Sequence, residues 1–254
     1  MLLVLLFSCL GISGQTLIEQ VRKAEVRTSL DVRWSKTEYT LYEPIALTLD
    51  IGLMPNDRMP RVSEAITVRI EHQGITKEHH GLTSSVISGP GDAMPQVPAE
   101  GEKAETARHF ERVEMIDRVD EFFPEPGQYS VEFGLNGARS GATVITIVEP
   151  MGTNRQAYLF LSNFRHPLTF RWVFETPNGI ELLEDFVKKH RGSVYGDSAA
   201  YQLGQIYFYR GKFEKARTIF KELGASNNIV IARLATQSLR DVENNIRMKS
   251  AADN

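Results

Sequence analysis

Cysteine is all but missing from this chain: Cys9 is the single one among 254 residues. One thiol cannot close an internal disulfide, and Cys9 lies in an N-terminal stretch read below as a removed leader, so the mature chain is expected to have no thiol at all. That excludes thiolate catalysis and cysteine-ligated zinc. An HExxH helix, a GxSxG elbow and a glycine-rich phosphate loop ending in Lys-Ser or Lys-Thr are missing too. His79 and His80 are adjacent, and adjacent residues on a strand face opposite ways, so they are poorly placed to grip one ion. His72, His109, His166 and His190 are scattered. No metal, no cofactor and no enzyme activity are expected. The carboxylates of "VEMIDRVDEFF" (Glu114, Asp117, Asp120) are read as the polar exterior of a strand and its turn, because sequence does not supply the carboxylate separation a glycosidase needs. A basic stripe is also lacking. With 29 Lys and Arg against 32 Asp and Glu, the net charge of -3 gives no ground for a nucleic-acid partner.

What is present begins with "MLLVLLFSCLGISGQ", an apolar run too short to span a bilayer and followed by small residues. It fits a signal peptide, residues 1–14, cleaved near Ser13 to Gln15, although no Lys or Arg precedes it. Within it "LFSC" resembles the bacterial lipobox, which would make Cys9 a lipidation site; Phe7 is bulkier than that pattern prefers. The expected localisation is therefore exported: periplasmic, cell-envelope or extracellular, with a lipid anchor on Cys9 as the only link to a membrane.

From Thr28 the apolar residues take a period of two. Leu30, Val32 and Trp34 alternate with polar neighbours, as do Ile45 through Leu53 and Ile66, Val68 and Ile70. Further strands are predicted at 75–80, 107–113, 128–135 and 141–149. "FFPEPGQYSVEF" places a tyrosine near the start of a strand and resembles the tyrosine corner of immunoglobulin-like sandwiches, in which Tyr129 would bond to upstream backbone. The resemblance implies an antiparallel Ig-like β-sandwich over 26–150. Residues 88–103, rich in Gly and Pro, read as a solvated loop.

After Glu149-Pro150 the alternation stops. A helix is predicted over 153–164 and an irregular aromatic connection over 166–177. A helix capped by Asn178 and ended by Gly192 follows, then one capped by Asp197 or Ser198 and stopped at Gly211, and a third over 212–223 closed by Gly224. In "YQLGQIYFYRGKFEKARTIF" the residues Leu203, Gly204, Tyr207, Gly211, Phe213, Ala216 and Phe220 resemble the tetratricopeptide repeat (TPR), and Phe186 stands 34 positions before Phe220, the period of that family. Two departures mark the copy as degenerate: Ala200 replaces the family's early aromatic, and Asn228 its closing proline. The resemblance implies that Gly204 and Ala216 let two helices approach and that the aromatics fill the seam. Ile231, Leu234, Ala235, Leu239, Val242 and Ile246 line one face of a last helix.

The expected fold class is thus multi-domain β plus α: the sandwich, a helix and connecting segment over 151–177, a short TPR-like helical hairpin array over 178–247, and a disordered tail over 248–254. The resemblance implies a non-enzymatic interaction or scaffold protein of the bacterial envelope or secreted space, its partner an unidentified protein or a second copy of itself. Lys212, Lys215, Arg217 and Lys221 are the candidate partner-binding residues, on a face otherwise read as solvated. Phe160, Phe164, Phe170, Trp172 and Phe174 are read as packing between sandwich and helices. The alternatives are a glycan-binding module using sandwich loops and aromatics, or a hydrolase with an unrecognised site.

Overall fold

The computed structural model describes residues 29–53, 65–82, 108–165 and 167–252; residues 1–14 with Cys9, expected to be a signal peptide, and residues 88–103, expected to be a solvated loop, lie outside them. Strands β1 (Ser29–Trp34), β3 (Ile45–Leu53) and β6 (Arg108–Ile116) form one antiparallel sheet in the order β1-β3-β6. A second sheet runs β2 (Glu38–Thr40), β9 (Thr143–Val148), β7 (Gly127–Leu135), β4 (Thr67–His72), β5 (Ile75–His80), with the short β8 (Ala138–Arg139) paired to β7. A single turn of helix, α1 (Val119–Phe122), links β6 to β7. The alternating side chains meet between the sheets: Leu47, Leu49 and Ile51 from one, Val68, Val131, Phe133 and Ile145 from the other, all essentially without solvent contact. At the entry to β7 the Tyr129 hydroxyl donates to the Glu125 carbonyl at 2.7 Å.

The antiparallel Ig-like sandwich is not what forms. β2 runs parallel to β9, in the register Tyr39 to Ile147, so the second sheet is mixed, and the fold as a whole is mixed α/β, with N-terminal sheets followed by helices. The reason the sequence misleads is physical. A period of two says which face of a strand is buried and nothing about the direction of its neighbour, and a parallel pair needs a long crossover that leaves no local mark.

Six helices follow β9 in the described chain: α2 (Gly152–Leu161), α3 (Phe170–Glu175), α4 (Gly179–His190), α5 (Gly196–Tyr209), α6 (Phe213–Leu223) and α7 (Ile229–Ala252). The aromatic connection contains α3, whose first turn is capped by Thr169 accepting from the Trp172 amide at 3.1 Å; six residues are too few to display a helical period. Asn178 stands before α4 in a left-handed conformation without a side-chain cap. The residue at the N-cap of α5 is Tyr195, and Asp197 lies inside its first turn. The last helix runs on to Ala252, past position 247 where the apolar pattern ends.

α5 is enclosed on most sides by α4, α6 and α7. Gly204 is what lets α6 approach: a Cβ there would lie 2.6 Å from Cε1 of Phe220, a ring with no exposure. Gly211, at φ +68°, makes the turn between α5 and α6, and the Lys212 amide reaches back to the Tyr207 carbonyl at 2.8 Å. Leu203 and Ala216 are buried in the same seam. Phe186 and Phe220 occupy the same place along α4 and α6, and both are buried.

Sheets and helices are joined at a few defined points. Tyr195, fully buried, donates its hydroxyl to the Leu41 carbonyl at 2.7 Å, and the Leu41 amide donates to the Val148 carbonyl at 2.9 Å. Tyr42 meets Tyr158 of α2 edge-on at 5.2 Å. Glu111 on β6 receives both Arg33 of β1 and Arg233 of α7, which hold its carboxyl below the usual range. Deeper in, Gln205 of α5 donates to Tyr201 at 2.7 Å and to Ser238 of α7 at 2.8 Å. Asp241, on α7, has a carboxylate oxygen shut off from solvent with no hydrogen-bond partner among the described residues.

Three outcomes follow. Tyr195→Phe keeps the ring and strands the Leu41 carbonyl, so urea unfolding should show a loss of about 1–3 kcal/mol. Gly204→Ala gains helix propensity of up to ~1 kcal/mol, but overpacking against a ring that cannot withdraw costs about 1–3 kcal/mol; a net loss is expected, and a neutral result would mean a looser seam. Burial pushes the Asp241 carboxyl up against the pull of Arg240, so the folded state binds its proton more tightly than the unfolded chain. Acid therefore favours the folded wild type, and that gain is lost as pH rises through the raised value. Asp241→Asn should be the more stable protein near neutrality, with the gap closing toward the ordinary carboxylate range in a pH series of thermal melts.

Candidate functional site

Three consecutive aromatics, Tyr207, Phe208 and Tyr209, close α5. Successive helical residues are rotated by about 100°, so three in a row cannot share one face. Tyr207 turns inward and donates to Glu184 of α4; burial and that carboxylate push its own pKa up, so it remains a donor. Phe208 turns toward Phe213 of α6, ring centres 5.8 Å apart. Tyr209 turns toward α3 and meets Phe170 edge-on at 5.7 Å. Phe170 in turn stacks with Phe174, one helical turn later on α3, at 6.2 Å. Five rings are thereby in continuous contact, from Phe174 through Phe170, Tyr209 and Phe208 to Phe213.

This ridge is not closed over. Phe174 keeps 53% of its surface exposed and Tyr209 44%. Cations flank the rings: the Arg210 guanidinium stands over Phe174 at 5.6 Å, and Lys212 and Lys215 over Tyr207 at 5.7 and 4.9 Å. Of the four basic residues singled out in the sequence, Lys212 and Lys215 therefore lie over the inward-turned Tyr207, and the cation on the ridge itself is Arg210. Arg217 instead pairs with Glu214 on its own helix at 3.2 Å, and Lys221 is exposed in the last turn of α6. Tyr209 and Arg210 escape the sequence reading. The signal for them was the aromatic triplet itself, since a helix with one buried stripe cannot hide all three.

Beside the ridge is a recess of about 190 Å³ lined by Arg165, Arg171, Trp172 and Glu175. Phe160, Phe164, Phe170 and Trp172 belong to the helical core rather than to a layer between sheets and helices, and of the five aromatics in this stretch Phe174 alone is fully at the surface. Glu114 and Asp117 are buried, not the polar exterior their sequence suggests, and Glu114 lies 3.1 Å from Arg112. His79 packs on Phe122 at 4.5 Å while His80 is exposed. Among the described residues no group of three or more His, Cys, Asp or Glu is placed to hold a metal ion, and no helix is long and apolar enough to cross a membrane.

Comparison with known proteins adds little. No family model and no curated protein matches the chain. Among solved structures, the Pseudomonas fluorescens alkylpurine DNA glycosylase AlkC bound to DNA containing an abasic site analog is similar over 52% of this chain and 36% of its own, at 14% identity and a TM-score of 0.27. A Listeria innocua beta-glucosidase in complex with glucose is similar over 47% of this chain and 16% of its own, at 10% identity and a TM-score of 0.23. Each likeness spans well under half of the other protein's length, and at such scores neither bears on what this chain binds or does.

Proposed function

We propose that the protein is a non-enzymatic interaction or scaffold protein that holds a protein partner on its helical part, through the ridge of Phe170, Phe174, Tyr209 and Arg210. The observation that carries this reading is the exposure of two aromatic rings, Phe174 and Tyr209, both resting on the buried Phe170. Large rigid rings flanked by Arg are the side chains that dominate protein interfaces when they become desolvated. The resemblance of 201–220 to a tetratricopeptide helix pair supports the same reading, and the leader sequence supports placing it in the bacterial envelope or secreted space.

A glycan is the second reading, because exposed rings also stack on sugars. It is the less favoured one: Phe174 already has Phe170 stacked with it and Arg210 over it, which leaves less free ring face for a sugar. The test is affinity capture from the native envelope fraction with the full chain, the Phe174→Ala/Tyr209→Ala double variant, and Ile75→Ala, an exposed residue of β5, as control. The wild type and control should retain the same protein, and the double variant should bind it at least about thirtyfold more weakly, since each of the two rings at a hot spot is worth on the order of 1–2 kcal/mol. Equal capture by all three would move the interface elsewhere, and binding on a glycan array with no protein captured would favour the second reading.

A further inference from the structure

We propose that His79 is a proton-operated latch for the connection that joins β6 to β7: neutral, it seats α1 against β5, and protonated, it loosens that seat. The imidazole stands at the boundary between α1 and β5, the strand at one end of the second sheet. Its ring packs on Phe122 at 4.5 Å, and Phe122 and the next residue, Phe123, are both buried. Only 12% of the His79 side chain is exposed, and its Nε2 is shut off from solvent with no hydrogen-bond partner among the described residues. A neutral imidazole carries a hydrogen on one ring nitrogen alone, whereas an imidazolium must donate from both. An apolar seat tolerates the bare nitrogen far better than a charged N–H without an acceptor.

The surrounding charges are set against a further cation. The carboxylate facing the ring is that of Glu121, whose Oε1 lies 3.9 Å from Nδ1, beyond hydrogen-bond reach. Both of its oxygens already accept from Arg118, Oε2 at 2.8 Å from Nε and Oε1 from Nη2. The Arg118 guanidinium also stands over the Phe122 ring at 5.5 Å. Lys77 and His80 lie on the same strand as His79, and Val68, opposite it on β4, brings no charge. Burial holds the imidazole below its ordinary value; Glu121 pulls the other way, and Arg118, Lys77 and His80 reinforce the shift. The unfolded chain therefore takes up this proton more readily than the folded one. The stability of the seat is intact above the ordinary imidazole range and is lost as pH falls through that range toward the lowered value. The buried rings of Phe122 and Phe123 still hold α1 when His79 is protonated, so what acid changes is how often the seat opens.

The test is amide hydrogen exchange of the full protein, read by mass spectrometry on residues 117–124, in which the Phe122 and Phe123 amides donate to the Arg118 and Val119 carbonyls. Residues 129–135 of β7 serve as the internal reference. Protection factors, corrected for the intrinsic pH dependence of exchange, are compared at about pH 7.5 and about pH 5, on either side of the ordinary imidazole value. The wild type should lose at least about fivefold of its protection over 117–124 on acidification, the equilibrium equivalent of stranding one buried donor, while β7 keeps its own. His79→Phe retains a ring against Phe122 without a proton site and should show no such loss. His79→Gln, neutral and polar, should match it, which guards against a packing defect from the larger ring. His80→Gln, at the exposed neighbour, should keep the wild-type response. Equal protection of the wild type at both pH values, a loss shared equally by β7, or a loss that persists in both His79 variants overturns the inference.

Discussion

The Tyr195 hydroxyl is the point from which the two halves of the molecule are referenced to each other. Its acceptor, the Leu41 carbonyl, belongs to a residue whose own amide is already held by Val148 at the end of β9. One buried phenol therefore fixes the start of α5 against the place where β2 and β9 end together. Burial pushes this hydroxyl's pKa well above its ordinary value, and deprotonation would place a charge in a site with nothing to solvate it, so the donor is permanent. Everything downstream inherits this placement: α5 starts at a fixed height, and its closing aromatics emerge at a fixed place beside α3.

A second constraint is crowding around α5. With α4, α6 and α7 all packed on it, the helix has almost no free face until its final turn, where the neighbours end and the aromatics come to the surface. Gly204 inside and Gly211 at the turn serve one purpose at two scales. The first permits α6 to lie close, the second reverses the chain quickly enough that Phe213 meets Phe208. Rigidity of the ridge thus comes from the packing of the helix beneath it and not from the surface residues, which is the condition under which exposed rings bind without a large ordering cost.

Much of this was legible in advance, and the failures have physical causes. Most strand positions, the end of the alternating pattern before Pro150 and the ends of α5 and α6 to within a few residues were readable from periodicity and turn residues, whereas the packing of Ala216 and Phe220 in the seam was implied by the tetratricopeptide resemblance. The parallel pairing of β2 was not, because direction of pairing is a property of two distant segments and neither carries it alone. α3 was missed because a single capped turn and a half is shorter than the period that would reveal it. Glu114 was misplaced because a carboxylate on a strand is polar by type wherever it points, and only the packing of the folded chain, with Arg112 beside it, decides that this one is enclosed. At the candidate site the lysines were visible as a charge pattern, whereas the exposure of Phe174 and Tyr209 depends on where neighbouring helices stop.

The parallel pairing of β2 with β9 also sets a clock. Strands near residues 40 and 147 meet only after everything between them has been placed, and contacts of such sequence separation form slowly because the loop must be closed before any pairing compensates. The helices after Pro150, by contrast, are joined to their neighbours by short turns and can condense locally. During synthesis the second sheet stays incomplete until residue 148 has emerged, with β2 lacking its neighbour and the edge of β7 that β9 will cover still open. Such an edge is a template for pairing with another chain. A chain with this topology has reason to be shielded until its C-terminal half is available, and the helices that dock on the finished sheets are the last elements to arrive.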